Sequence, residues 1–223
     1  VTVLYSLADT LFVGMMNDQI QNAAVALAAP ALLAFNAVIN LFGIGSSSMM
    51  SRALGRGDLK TVCASASLGF YGTVVSGALL SALCYIFMQP FVVLLGGDIN
   101  TAAATTAYMN WAVVCGAIPT ILNVVMGYMV RAEGASLHAS IGTMSGCILN
   151  MILDPFFILP WGLGMGAAGA GLATFLSNCF ACCYFFGLLM VRKKKTNINL
   201  NPKYLSLTKE IVFAVMEVGI PAA

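Results

Sequence analysis

The sequence predicts an all-α protein, a polytopic transmembrane helix bundle, on three observations. Of its 223 residues, 60% are hydrophobic and only 8% charged, where a soluble domain carries about 25% charged residues. Such a chain cannot cover a water-facing surface. Its apolar stretches reach the roughly 20 residues that cross a bilayer as a helix, and they lack the period-two alternation of barrel strands. All ten Lys and Arg residues fall on alternate connections between those stretches. Soluble enzymes, fibrous chains and disordered chains are excluded, and a net charge of +2 is too small to point to nucleic acid.

The spans follow in order. Span one is Val1 to Met16, short for a full crossing. Span two is Asn22 to Met50, span three Thr61 to Leu95, span four Thr101 to Val130, span five Leu137 to Trp161 and span six Gly166 to Val191. A seventh begins near Ile211. Residues 1–191 thus form a first six-helix unit, 192–210 a polar linker containing Pro202, and 211–223 the start of another helix. With Val1 at one end and Pro221-Ala222-Ala223 inside a new apolar stretch at the other, the chain is expected to be a fragment of a longer protein.

The connections set the orientation. Asn17-Asp18-Gln19, Gly96 to Asn100 and Gly162 to Met165 carry no Lys or Arg. The connections between them carry Arg52, Arg56 and Lys60, then Arg131, then Arg192 to Lys195, Lys203 and Lys209. Basic loops stay in the cytoplasm, so the N-terminal end is expected there. Arg192 to Lys195 reads as an anchor beside a span end.

A charge at the bilayer centre costs at least about 2.5–3.5 kcal/mol, so an intramembrane acid is a functional candidate by default. Two qualify, Asp9 and Asp154. At about 1.5 Å per residue, Asp9 lies roughly 12 Å below the outer face and Asp154 roughly 10 Å. Asn150 is one turn deeper than Asp154 on the same helix face, by i, i+4 spacing. Tyr108 in span four and Thr174 in span six fall at the same level, roughly 10–12 Å down. One polar cluster within the bundle is therefore permitted. Two buried acids can share a proton, and with Asn150 and Thr174 their oxygens can ligate sodium, a hard cation. The structural alternative is an Asp that only hydrogen-bonds a neighbouring helix. Pro155 frees the carbonyl of Met151, and Pro30 and Pro119 are expected to act similarly in spans two and four.

Other polar residues carry weaker signals. His138 reads as a solvated helix-end residue. Asn36, Asn40, Asn123 and Asn178 read as interhelical hydrogen-bonding or cavity-lining groups. Gly162, Gly164, Gly166, Gly169 and Gly171 suit a tight turn and close packing of span six. The seven cysteines lie in apolar stretches and read as structural filler, Cys179 and Cys182 included. No nucleophile–base pair, phosphate loop or metal motif is present, so neither catalysis nor a cofactor is expected.

Five segments, in order, resemble the multidrug and toxic compound extrusion (MATE) transporters. They are Tyr5-Ser-Leu-Ala-Asp9-Thr-Leu-Phe-Val-Gly14; Ser51-Arg-Ala-Leu-Gly-Arg-Gly-Asp58; Tyr108 with Gly116-Ala-Ile-Pro119 and Arg131-Ala-Glu-Gly134; Asn150-Met-Ile-Leu-Asp154-Pro155; and Gly164 to Thr174. The resemblance implies the first bundle of a twelve-helix transporter plus the start of helix seven. It implies an antiporter of the plasma membrane, in bacteria the inner membrane, expelling organic, often cationic, compounds against entry of protons or sodium. By motif, Asp9, Asn150 and Asp154 match the family's cation site, sodium included. Tyr108 and Thr174 match positions lining it, and Tyr5, one turn before Asp9, joins them. The implied partners are a small organic substrate and the lipid bilayer, with no nucleic acid and no obligate protein partner. The alternative is a lipid or lipid-linked oligosaccharide flippase of the same wider superfamily. Such proteins place basic residues in the central cavity, and here every basic residue sits at a helix end. A receptor and a channel fit less well, the first by its N-terminal orientation and the second for want of a polar pore ring.

Overall fold

In the computed structural model, the described residues are 7, 10–16, 18–193, 196–200 and 209–222. Tyr5 and Asp9, with half of span one, lie outside them. Every regular element among the described residues is helical.

Span two is one long crossing, Gln19–Gly55, assembled from α1 (Gln19–Leu27), α2 (Ala29–Ile39), a π-helical segment (Asn40–Ile44) and α3 (Gly45–Gly55). Asp18 starts it, its carboxylate accepting the backbone N–H of Ile20 at 2.9 Å. Pro30 is the second residue of α2, where the first turn has no use for its missing N–H. It therefore restarts a helix without ending the span.

The expected span three divides. Helix α4 covers Leu59–Ile86, and a separate short helix, α5, covers Met88–Leu94. Pro90 explains the break at Phe87: in a continued helix its ring would clash with the carbonyl of Ile86. Span four is bent, with α6 (Ile99–Met109) and a second π-helical segment (Asn110–Cys115) meeting α7 (Ala117–Ala132) at 47°. Pro119 sits in the first turn beyond that bend. Spans five and six are the unbroken helices α8 (Ser136–Ile158) and α9 (Ala167–Val191). The last helix, α10 (Lys209–Gly219), runs into a 3-10 turn at Pro221. Among the described residues four helices are long and apolar enough to cross a membrane, or five if the bent pair is one crossing.

The burial pattern of α8 shows how such a helix suits lipid. Leu137, Ile141, Met144, Ile148, Ile152 and Phe156 are exposed, at steps of three or four residues. The opposite stripe, Ala139, Thr143, Cys147, Asn150, Asp154 and Ile158, is buried. Apolar side chains face outward and polar ones inward, the arrangement an apolar solvent favours.

The described residues belong to two compact units: 1–34, 78–120 and 144–180 in the first, and 35–77, 121–143 and 181–223 in the second. In the first, α1 packs on α6. In the second, α10 packs on α3 and the first π-helical segment. Two glycines allow this approach, because a Cβ on Gly45 would strike the carbonyl of Val215 and one on Gly219 that of Leu41.

The expected linker is partly docked. Thr196 donates its hydroxyl to the Glu133 carboxylate at 2.6 Å, and the Asn197 N–H donates to the other Glu133 oxygen. Cys63, Ser67 and Tyr71, one turn apart on α4, donate to the carbonyls of Asn197 (3.3 Å), Asn199 (2.7 Å) and Leu200 (2.9 Å). Ile198 is buried, and with Leu200 it faces Met126, Met129, Val130 and Leu189. A polar sequence reads as a solvated linker, whereas here its backbone is paired by α4, Ile198 is buried and Leu200 half-buried. His138 also departs from expectation. It is half-buried, with Nδ1 3.4 Å from the Tyr184 hydroxyl.

Two predictions follow from these contacts. Glu133→Gln removes a charge-assisted acceptor, a loss of about 1.5–3 kcal/mol, so amide hydrogen exchange at Asn197 and Ile198 should quicken by about tenfold or more. Unchanged protection there would show that Glu133 does not hold the segment. Asp58 opens α4 by accepting from the N–H (3.2 Å) and hydroxyl (2.5 Å) of Thr61, and chiefly this hydroxyl holds its carboxyl below the usual value of 3.8. A lowered folded-state pKa contributes stability above the unfolded value that fades as pH falls through the folded one. Thermal melts of Asp58→Asn against the parent should therefore differ at neutral pH and converge as the pH falls below the usual carboxylate range.

Candidate functional site

The site is built on the last three turns of α8. Asn150 and Asp154 are both completely buried. Their i, i+4 spacing lets the Asn150 side-chain amide donate to one Asp154 carboxylate oxygen at 3.0 Å. The same amide donates to the Thr174 hydroxyl oxygen on α9 at 3.3 Å. Both amide hydrogens are thus committed, one along α8 and one across to α9. The Asn150 side-chain oxygen accepts no hydrogen bond among the described residues. It is a buried acceptor still open to a proton-bearing group or a cation.

Pro155 follows directly. It stays within α8, yet its ring has no N–H to offer the carbonyl of Met151. The helix then closes on itself. The N–H groups of Leu163, Met165 and Gly166 donate to the carbonyls of Phe156 (2.8 Å), Phe157 (2.8 Å) and Ile158 (3.3 Å). The last carbonyls of α8 are thereby satisfied. Gly164 and Gly166 make the turn with φ of +60° and +58°, a region L side chains rarely enter.

That turn delivers α9. Gln21 of α1 accepts the N–H of Ala167 at 2.8 Å, capping the start of α9. One turn before Thr174, a Cβ on Gly171 would lie 2.8 Å from the carbonyl of Tyr108 and 3.1 Å from the Cβ of Trp111. Gly171 thus lets α9 touch span four at Tyr108, which is 1% exposed. Further along α9, Ser177 (3.0 Å) and Asn178 (2.8 Å) donate to the carbonyl of Thr174.

Of the residues singled out from sequence, Asn150, Asp154 and Thr174 come together, and Tyr108 is buried where α9 meets span four. Tyr5 and Asp9 fall outside the described residues. Sequence reasoning missed Gln21 and Ser177, since a lone Gln or Ser in a span carries no periodic signal. It also missed both π-helical segments, a geometry often found at functional sites. Among the described residues no group of three or more His, Cys, Asp and Glu residues could hold a metal ion, and all seven cysteines are free thiols. Asp154 with the oxygens of Asn150 and Thr174 is instead a set of hard oxygens, of the kind that suits a proton or an alkali cation.

Fold and site together describe a bundle of lipid-facing helices with a buried acid on the helix carrying a proline. Residues 1–156 match the family model described as MatE, and the chain belongs to that family. It is 29% identical over 221 residues to the multidrug export protein MepA of Staphylococcus saprophyticus, covering 99% of this chain and 48% of that one. Identity and coverage are the same for MepA of a Staphylococcus aureus strain. The fold matches an inward-facing multidrug resistance MATE family transporter of the MOP superfamily with a TM-score of 0.91 and 26% identity, over 100% of this chain and 49% of that one. It matches a MOP superfamily transporter from Pyrococcus furiosus, described as having a binding pocket of reversed polarity that suggests a different function. There the TM-score is 0.87 and the identity 25%, over 99% of this chain and 48% of that one. The chain therefore spans about half the length of the relatives it matches.

Two substitutions test how the site is supported. Gly171→Ala drives a methyl group against the Tyr108 carbonyl and should lower stability by about 1–3 kcal/mol. Gly187→Ala, on the same helix with open space around it, should be neutral or slightly stabilising. Equal melting temperatures for the two variants would contradict the tight approach of α9.

Proposed function

We propose that this chain is the first half of an alternating-access exporter in the plasma membrane, its N-terminal end in the cytoplasm. It would expel organic, often cationic, compounds against the entry of protons or sodium, with Asp154 and Asn150 holding the coupling ion. The observation that carries this reading is the completely buried Asn150–Asp154 pair bonded to Thr174 of a second helix. An acid at this depth is expensive to keep, and residues of that kind mark ion pathways.

The pair can answer to either ion. A proton on Asp154 turns its carboxyl into a donor, and the open oxygen of Asn150 is the adjacent acceptor. Sodium would take the same Asn150 oxygen and the carboxylate as ligands. Either ion neutralises the buried charge and competes with the amide that ties α8 to α9. Asp9, with Tyr5 one turn before it, would complete the site from span one, and Tyr108 would line it. Coupling requires the ion to bind the inward- and outward-open states with different affinity, and re-pairing of the Asn150 amide supplies a difference between them. The two MepA relatives, named as multidrug export proteins, support an organic cargo. An acidic site, with the basic residues placed by the sequence on the connections between spans, fits cationic cargo better than anionic.

The test uses the complete transporter in liposomes, with a fluorescent organic cation and separately imposed pH and sodium gradients. Asp154→Asn should insert normally and lose gradient-driven transport by a hundredfold or more. Asn150→Ala should weaken ion dependence while keeping some transport. Efflux by Asp154→Asn at the parental rate would refute the assignment.

A further inference from the structure

A second polar site lies apart from Asp154, in the other compact unit. A cavity of about 270 Å³ opens between α3 and α7, lined by Ser47, Ser48, Ser51, Tyr128 and Arg131 with Ile44 and Ala132. Its polar lining is one guanidinium and four hydroxyl groups, with no carboxylate. Ser47, Ser48 and Ser51 share one face of α3, and Ser47 donates to its own helix at the carbonyl of Ile44 (3.1 Å). Arg131 stands in the last turn of α7, its guanidinium carbon 6.0 Å from the centre of the Tyr128 ring. The acid nearest in sequence, Glu133, is taken up by Thr196 and Asn197. The Arg131 charge therefore faces the cavity without a carboxylate partner among the described residues.

We propose that this cavity is a binding site for a phosphate group, that of an anionic lipid of the cytoplasmic leaflet. A positive, donor-lined pocket selects a negatively charged, acceptor-rich group, and arginine with hydroxyl groups matches phosphate oxygens in geometry. Position selects the lipid. The pocket reaches Arg131 in the last turn of α7 and, on α3, Ser51 next to Arg52 of that helix's last turn, and loops bearing such residues lie on the cytoplasmic side. Basic pockets between transmembrane helices on that side hold lipid head groups. The bound lipid would join span two to span four at their cytoplasmic ends, independently of the cargo.

The complete transporter, purified in detergent with phosphatidylglycerol, would be weighed intact by native mass spectrometry. The parent should retain the lipid. Arg131→Gln should bind it roughly tenfold more weakly, the factor of one lost charge-assisted hydrogen bond. Arg192→Gln removes the same charge outside the cavity and should bind as the parent does. A Ser48→Ala, Ser51→Ala double variant keeps every charge and should still lose several-fold, which preserves the test should Arg131→Gln misfold. Inorganic phosphate at equal concentration should leave the lipid bound, and displacement of the lipid by it would overturn the lipid assignment in favour of the free ion. Equal loss in the Arg131 and Arg192 variants, or no retention by the parent, would overturn the site.

Discussion

One constraint organises the first compact unit: a carboxylate cannot remain in an apolar helix without partners held in fixed positions. Desolvating a charge costs several kcal/mol, and the cost is met only by well-placed hydrogen bonds. Asn150 sits one turn from Asp154 because α-helical spacing makes the two neighbours, and its second hydrogen reaches Thr174 because α9 is close. That closeness depends in turn on backbone. Gly164 and Gly166 turn the chain, Gln21 receives the first N–H of α9, and Gly171 admits the carbonyl of Tyr108. A side chain larger than hydrogen at Gly171 would move Thr174 away from the amide. The polar cluster is therefore supported from outside by residues with no ionic chemistry of their own.

The second unit meets a similar problem with backbone in place of a charge. Beyond the Thr196 N–H, which donates to the carbonyl of Arg192, residues 197–200 lie outside any helix, and their carbonyls need donors. Cys63, Ser67 and Tyr71 supply them from one face of α4, while Glu133 accepts from Thr196 and the Asn197 N–H. The acid is a poor resident near a membrane unless occupied, and the segment is a poor guest unless paired. Each satisfies the other, and Glu133 is thereby withheld from Arg131.

What could be seen in the sequence follows from the range of the forces involved. The spans were legible because roughly 20 apolar residues are a local signal. The neighbourhood of Asn150 and Asp154 was legible because i, i+4 spacing is helix geometry. The break at Phe87 was in principle legible too, since Pro90 cannot continue a helix, but uniform hydropathy on both sides concealed it. The docked segment was not legible. Thr196 to Leu200 reads as polar linker, and only the joint presence of Ile198 and Leu200 with donors at 63, 67 and 71 hints at its docking. Both π-helical segments escape sequence reasoning because they begin at Asn40 and Asn110 in runs that read as ordinary helix. His138 escaped because its partner, Tyr184, lies on another helix.

The two sites differ in a way that argues for different tasks. Around Asp154 the polar oxygens are acceptors, the carboxylate and the side-chain oxygen of Asn150. Around Arg131 they are donors: guanidinium and hydroxyls. Acceptors in a closed, apolar setting hold small cations, whose binding alters charge where water cannot screen it. Donors in an open cavity at helix ends hold anions that are already at the membrane surface. An ion that must come and go needs a site whose alternative bonding is nearly as good, and the Asn150 amide, shared between Asp154 and Thr174, offers that alternative. A proposed resident lipid needs no such alternative, and beside Arg131 the structure offers only the Tyr128 ring. The difference in how readily each cluster can re-pair is the physical reason for proposing a moving ion at Asp154 and a resident group at Arg131.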